Sequence, residues 1–528
     1  MLPADTPYRS RNNAAAIALL FTLGCALLGA CSDGSDNVHR SLGVPGSGDA
    51  NIIAVPAATL QGPVSGSPVL VSTFFSLPGV GYEQAEYFVT GTASAYVNSN
   101  ELQANGRWRV QADEQAQYRT RIVVNRPSDP AVFNGTVIVE WLNVSAGFDS
   151  APDWGMLHTE LIRSGYAWVG VSAQQVGVDA LVDGSAAATI PGTPIDDRYA
   201  SLVHPGDAFS YDIYAQVTQA LRQPATAAPW GGLQPQRFIA VGESQSAGRL
   251  LTYVNAFAPL HALFEGYLIH SRTGGSAPLK GGFGDPELPT PEIVRVRDDL
   301  GVPVLMLQTE TDLFILGSWP SNQPDSEYFR LWEVAGSAHA DLYTFLDNRF
   351  DIGTDPSVAA VIEVLDPVPG IISCTVPVNA GPQHWVAKAA IAALNTWVSE
   401  GVAPPRAQRL AVDGDAAAFR LDALGNVRGG IRTPYVDAPI AVLSGEGQPQ
   451  PNFDEIDQIS VDEVDFCFLS GTTFLFDAAT LGSLYESNAA YIEAVNAAAE
   501  DAVARGFLLR ADAELIQAHA AGTDIFAP

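Results

Sequence analysis

Residues 237–257 read RFIAVGESQSAGRLLTYVNAF. An apolar run from Phe238 to Val241 breaks at Gly242-Glu243-Ser244-Gln245-Ser246, and apolar residues then recur at helical spacing at Leu250, Leu251, Val254 and Phe257. Strand, sharp turn and helix in that order is the setting a nucleophile elbow requires. A serine in the bend stands above the sheet, and the N-terminus of the next helix points at the same spot. Ser244 is therefore the candidate nucleophile. The usual spacing is G-x-S-x-G; here Ser246 fills the fifth place, which keeps it small, and Gly248 lies close behind.

A serine hydroxyl attacks a carbonyl effectively only when a base takes its proton, and the base needs an acid to fix its tautomer and steady its charge. The strand-like run Val302–Gln308 leads into Thr309-Glu310-Thr311-Asp312, and Phe329–Val334 leads into Ala335-Gly336-Ser337-Ala338-His339. Serine, acid and histidine thus each fall at the C-terminal end of a predicted strand, where doubly wound sheets place their ligand sites. His339 is the candidate base. The remaining histidines lie in the N-terminal stretch (His39), in predicted helices (His158, His519), after the elbow helix (His261), in a long irregular segment (His204) or beside apolar runs (His270, His384). The acid is Asp312 or Glu310. Asp312 is favoured because its shorter arm suits a loop already close to the histidine, whereas alternation along an extended chain lets Glu310 share the same side and reach farther. An acyl-transfer intermediate also needs N–H donors for its oxyanion. The backbone N–H of Gln245 is one candidate, and that of Val144, in the loop Leu142–Gly147, is the other; no HGGG motif marks that loop.

The elements that must position these groups read as follows. Strand-like runs cover 85–97 and 118–125, and Val137–Leu142 is a near-continuous apolar strand of the kind buried on both faces of a parallel sheet. A helix over 154–164 and a second buried strand over 166–172 complete a βαβ unit. Residues 175–210 form a long irregular excursion, and a helix over 212–221 leads to the elbow strand. Later strands are expected at 264–270, 302–308 and 329–334, and helices at 385–398, within 478–504 and at 511–521. Trp154, Phe314 and Trp319 fall near element ends and could line an apolar or sugar-stacking pocket.

The chain has 528 residues with 27 Lys plus Arg against 58 Asp plus Glu, a net charge of −31. Such a charge repels phosphate backbones, so nucleic acid is not an expected partner. The acidic run Asp454–Asp465 lacks the spacing of a calcium loop and reads as a solvated face. At the N-terminus, Arg9 and Arg11 precede the apolar stretch Ala14–Leu28, and Leu28-Gly29-Ala30-Cys31 closes it. This resembles the signal peptide and lipobox of a bacterial lipoprotein, with Cys31 as the acylated first residue after cleavage. The expected organisation is residues 1–30 as signal peptide, 31–66 as a lipid-anchored flexible tether rich in Gly, Ser, Pro and Asp, and 67–528 as the folded domain. The protein is then exported and held on the membrane at a periplasmic or cell-surface face. Of four cysteines, Cys25 leaves with the leader and Cys31 carries lipid, so Cys374 and Cys467 remain for one bridge, or for two buried thiols. Closing that loop is worth roughly 4 to 5 kcal/mol in the chain-entropy model.

Several stretches together resemble the α/β-hydrolase superfamily, and within it a family of exported bacterial proteins described only as α/β-hydrolase domain proteins, here in lipoprotein form. They are VIVEWLNVSAGFDSAPDW, YAWVGVSAQQVGV, HPGDAFSYDIY, GESQSAGRL, QTETDLF, EVAGSAHADLY, GGIRTPYVDAP and CFLSGTTFLFDAATLGSLY. The resemblance implies an α/β fold: a doubly wound, mostly parallel sheet with an irregular excursion after the fourth strand and a helical C-terminal extension that belongs to the same module. It also implies a serine hydrolase without a cofactor, acting on a small-molecule or polymeric ester through an acyl-serine intermediate. An acyltransferase would share the three groups and exclude water from the acyl-enzyme. A binding lipoprotein on the same scaffold would have no need of all three.

Overall fold

A computed structural model describes residues 52–190, 192–224, 229–281, 290–369, 372–414, 417–448 and 466–527. The leader, Cys31 and the acidic run Asp454–Asp465 lie outside the described residues.

Nine strands form one sheet. In chain order they are β1 (Thr59–Gln61), β2 (Tyr82–Asn98), β3 (Val110–Pro127), β4 (Thr136–Trp141), β5 (Ala167–Val171), β6 (Arg237–Glu243), β7 (Gly266–His270), β8 (Val304–Gln308) and β9 (Phe329–Glu333), and in space they run β1-β2-β3-β5-β4-β6-β7-β8-β9. The pairs from β5 through β4 to β9 are parallel, and β1, β2 and β3 continue the sheet antiparallel. β5 and β6 lie on opposite sides of β4, so the strand order reverses there, which opens a crevice at the C-terminal ends.

The parallel strands are apolar on both faces because helices cover both. Val137 and Val139 of β4 and Ala240 of β6 pack toward α4 (Ser210–Arg222) and α5 (Gln245–Thr252), whereas Ile138, Ile239, Leu268 and Leu305 pack toward α1 (Pro152–Arg163) and α8 (Gln383–Glu400). Each such side chain contributes about 1.5–3 kcal/mol of burial, and a one-residue slip would reverse both faces. The excursion after β5 is less irregular than its composition suggests: it holds α2 (Gln175–Val182) and α3 (Ser185–Ala188), which pack with Val69 and Phe88. Arg249 of α5, fully buried, bonds Asp207 Oδ2 at 2.7 Å while Asp207 Oδ1 accepts the Gln175 N–H at 2.8 Å, tying the excursion to the elbow helix.

The remaining helices are α6 (Ala258–His261), α7 (Glu310–Phe314), α9 (Pro434–Asp437), α10 (Ala478–Leu484), α11 (Asn488–Ala504) and α12 (Arg510–Gly522), and two small strand pairs join β10 (Val412–Asp413) to β11 (Ala418–Phe419) and β12 (Ala441–Ser444) to β13 (Thr472–Leu475). The expected helical stretch 478–504 is divided at Tyr485–Ser487, where Ser487 caps α11 by accepting the Ala490 N–H at 3.2 Å. Cys374 and Cys467 form a disulfide with Cα atoms 5.6 Å apart, closing the pair of chain segments that flank β12.

The tether boundary at residue 66 differs from the structure. Thr59–Gln61 pairs with β2 as the edge strand, and the Ile53 N–H reaches Leu260 O at 2.9 Å, so the folded part begins before residue 59. A three-residue strand with one buried apolar side chain, Leu60, carries too little periodicity to stand out in a Gly- and Pro-rich stretch.

One buried charge cluster fixes the antiparallel wing to the mouth of the crevice. Arg121 of β3 is fully buried and meets Glu86 Oε1 of β2 and Asp149 Oδ2, both at 3.0 Å, and its Nε donates to Ser172 Oγ. Arg198 from the excursion shares Glu86. Replacing Arg121 with leucine leaves the buried Asp149 without its counter-ion and Glu86 with Arg198 alone, and is expected to cost about 3–5 kcal/mol in chemical denaturation; a loss below about 1 kcal/mol would show that the Asp149 carboxylate is neutralised in some other way.

Candidate active site

The elbow is built from what its neighbours lack. A Cβ on Gly242 would come within 2.9 Å of Ser246 O and 3.1 Å of its carbonyl carbon, so β6 and α5 cross only because the residue is glycine. Ser246 stands where glycine is usual, and its hydroxyl folds back, donating to Glu243 O at 2.7 Å and lying 3.1 Å from the Glu243 N–H. Between them Ser244 adopts φ 58°, ψ −120°, with its N–H on His270 O at 3.0 Å. Its Oγ is thereby raised above the sheet.

Ser244 Oγ lies 2.9 Å from His339 Nε2, and His339 Nδ1 lies 2.7 Å from Asp312 Oδ1. The three residues follow β6, β9 and β8 at their C-terminal ends. Asp312 is fully buried, and its second oxygen accepts the Thr309 N–H at 2.6 Å while Thr309 caps α7 in return. With Asp312 accepting from Nδ1, the Nε2 lone pair faces Ser244. Burial alone would lower the pKa of His339; the charge of Glu243, and the hydrogen bond and charge of Asp312, outweigh it and leave the imidazole above its ordinary value.

Glu310 does not meet His339. The segment after β8 is helical, so residues two apart point to opposite sides instead of sharing one, as an extended chain would have them do. Glu310 is fully buried and accepts the N–H of Gly336 at 2.6 Å and of Gly445 at 2.8 Å. Burial pushes its carboxyl up to about 8, with the two N–H donors working the other way.

Gln245 opens α5, so its N–H precedes any carbonyl that could take it within the helix. Val144 is buried in the loop after β4, and that loop is held against the elbow: Asn143 Nδ2 donates to Glu243 O at 3.0 Å, Asn143 Oδ1 accepts the Ser145 N–H at 2.7 Å, and the backbones of Asn143 and Ser150 exchange two hydrogen bonds. The expected lining residues behave differently. Trp154 is fully buried core, its indole N–H on Thr73 Oγ1 at 2.8 Å, and Phe314 packs on both Trp319 and Phe419. Among the other histidines, His204 holds Ala173 O at 3.0 Å and the Gly206 N–H at 3.2 Å, and His384 stacks on Tyr343.

Three features were missed in the residue pattern. Glu243 Oε1 lies 3.3 Å from His339 Nε2; the signal was a carboxylate directly before the serine at the end of an otherwise apolar strand. His270, on the adjacent strand, forms a fully buried pair with Asp153 at 2.9 Å. The third is not the C-terminal extension, which was expected, but its grip on the acid and histidine segments. Thr311 Oγ1 donates to Gly445 O at 2.6 Å and accepts the His339 N–H at 3.2 Å, Asn379 Nδ2 spans Gly336 O and Ser444 O, and the Ala340 N–H reaches Leu469 O at 3.1 Å, two residues from the disulfide.

A Cβ on Gly445 would lie 2.4 Å from Glu310 Cβ and 2.6 Å from both Ser337 O and Thr311 N. Gly445→Ala is therefore expected to destabilise by about 1–3 kcal/mol, read as a shift of the denaturation midpoint at constant slope. A variant as stable as the parent would mean that acid and histidine loops can part there freely.

Among solved structures, one of two fungal esterases from Rhizomucor miehei is 11% identical, covering 48% of this chain and 77% of its own at a TM-score of 0.25. An α/β serine hydrolase without lid from Xanthomonas campestris is 13% identical, covering 46% and 83% at 0.25, and a glucuronoyl esterase from Teredinibacter turnerae is 12% identical, covering 53% and 74% at 0.25. At such scores these likenesses say nothing about substrate. No curated protein matches the chain. The family model described as "Alpha/beta hydrolase domain" matches residues 53–518, nearly the whole of the described part, and the chain belongs to that family.

Proposed function

We propose that this member of the family is a serine carboxylic-ester hydrolase working through an acyl-serine intermediate. The observation that carries the reading is the unbroken line from Ser244 Oγ to His339 Nε2 at 2.9 Å and from His339 Nδ1 to Asp312 Oδ1 at 2.7 Å, set where a raised backbone presents the hydroxyl.

In this reading Ser244 Oγ attacks the ester carbonyl as its proton passes to His339 Nε2, and Asp312 steadies the imidazolium and keeps its tautomer. The carbonyl π pair moves onto oxygen, which takes hydrogen bonds from the N–H of Gln245, at the positive end of α5, and of Val144. Collapse breaks the C–O bond, and the alcohol leaves with the proton from Nε2. Water then repeats the sequence on the acyl-serine, with His339 as base, and frees the acid. Asp312, not Glu310, serves the histidine, and Glu310 holds the acid and histidine loops together through Gly336 and Gly445.

Two variants test the roles. Ser244→Ala is expected to abolish hydrolysis of p-nitrophenyl esters and labelling by a fluorophosphonate probe while the unfolding curve stays in place. Asp312→Asn is expected to lose orders of magnitude in kcat through the wrong imidazole tautomer. Labelling at another serine, or full activity in Ser244→Ala, would falsify the assignment.

For the residues ahead of the folded part the same proposal covers a leader of 30 residues, a lipid on Cys31 and a short spacer, placing the enzyme on a membrane surface. A Cys31→Ala variant is expected to lose incorporation of radiolabelled palmitate and to leave the membrane fraction; palmitate retained in that variant rules out Cys31 as the anchor.

A further inference from the structure

The acyl-serine cycle leaves Glu243 without a task, although its carboxylate reaches the centre of it. Oε1 lies 3.3 Å from the same His339 Nε2 that faces Ser244 Oγ at 2.9 Å. The backbone that carries it is fixed. Its C=O takes Asn143 Nδ2 at 3.0 Å and Ser246 Oγ at 2.7 Å, and Glu243 stands in register beside His270 of β7. The groups that face it come from four elements: His339 and Asp312 from the loops after β9 and β8, His270 from β7, and Asp153 from α1. His270 is paired with Asp153 at 2.9 Å and acts on Glu243 through space, whereas His339 is the group in direct contact with the Glu243 carboxylate.

Resting on the acyl-serine reading, we propose that Glu243 is a positioning residue that shares one proton with His339 and so sets the pH above which the histidine can act as base. With Asp312 on the Nδ1 side, the shared proton has two places. On Nε2 it fills the lone pair that Ser244 needs; on the carboxyl it donates into that lone pair and competes with the serine hydroxyl. Only its loss leaves a neutral imidazole open to Ser244. When Ser244 then attacks, its proton moves to Nε2, and the new imidazolium lies between two carboxylates, Asp312 and Glu243, until the leaving alkoxide takes the proton. Burial pushes the Glu243 carboxyl up to about 7, with His339 the leading opposing influence, and His339 is itself raised in spite of its burial, so the shared proton departs near neutrality.

The sign of the test follows from the charge. Removing the negative charge of Glu243 weakens the hold of His339 on its proton, so the acid limb of the rate profile moves to lower pH. The readouts are the rate of fluorophosphonate labelling of Ser244 and kcat/KM for p-nitrophenyl butyrate, in the wild type, Glu243→Gln and Glu243→Asp, across about pH 5 to 9. The Glu243→Gln limb is expected about one pH unit or more below that of the wild type, a tenfold larger share of its plateau rate in acid. Glu243→Asp, which keeps the charge, is expected to stay within a few tenths of the wild type. A Glu243→Gln limb that does not move, with only the plateau lowered, overturns the proposal and leaves Glu243 as packing. In the wild type itself, the carboxyl 13C resonance that vanishes in Glu243→Asp is expected to titrate with the labelling rate. A midpoint for it near the ordinary value of about 4 overturns the proposal whether or not Glu243→Gln folds. No labelling of Ser244 in the wild type overturns the acyl-serine reading and this proposal together, whereas labelling with an unmoved limb overturns this proposal alone.

Discussion

The backbone of Ser244, held at φ 58° in a region that residues with a side chain rarely occupy, is the constraint on which the rest of the site depends. Such a conformation costs about 1–3 kcal/mol and persists only when its surroundings leave no alternative. Here they are a glycine at 242 with no room for a side chain, a serine at 246 whose hydroxyl grips the Glu243 backbone, and the His270 carbonyl that takes the Ser244 N–H. Each belongs to a different part of the chain: the end of β6, the first turn of α5 and the end of β7. β6 and β7 therefore have to be paired, with α5 packed over them, before the hydroxyl stands where His339 can reach it.

Three carboxylates sit within this small volume and differ only in what surrounds them. Asp312 spends one oxygen on a backbone N–H and the other on the imidazole, Glu310 spends both on backbone N–H groups, and Glu243 faces the opposite side of the imidazole. All are buried, so a charge on any of them is felt at close range. A chain with 58 acidic residues could crowd such a site with negative charge. Backbone donors from Thr309, Gly336 and Gly445, together with one histidine, hold these three in separate electrostatic settings.

The strands flanked by helices on both faces were legible from residue order, because an apolar run such as Val137-Ile138-Val139 has one good home, the middle of a parallel sheet. The elbow was legible for the same reason: glycine and serine interrupt an apolar run that an amphipathic stretch continues. What escaped was whatever is fixed by partners far along the chain. β1 is a strand only because β2 offers it an edge, and the relation between Glu310 and Asp312 turned on whether five residues after β8 coil or extend. Asp149 and Arg121 are ordinary surface types by composition, yet they are buried because they meet Glu86 and Ser172 there. Periodicity reports on neighbours within a turn or a strand, and carries no trace of a contact across 135 residues such as that between Gly445 and Glu310.

The grip of the C-terminal extension on the histidine loop has a consequence for how the molecule comes into being. Gly445 and Leu469, which fasten the segments around Glu310 and His339, are made more than 100 residues after the histidine. As the chain emerges N-terminus first, the elbow can form while His339 still hangs on an unfastened loop. The final part of synthesis thus completes the site, and until then the nascent polypeptide is a scaffold on which His339 is not yet fastened beside Ser244.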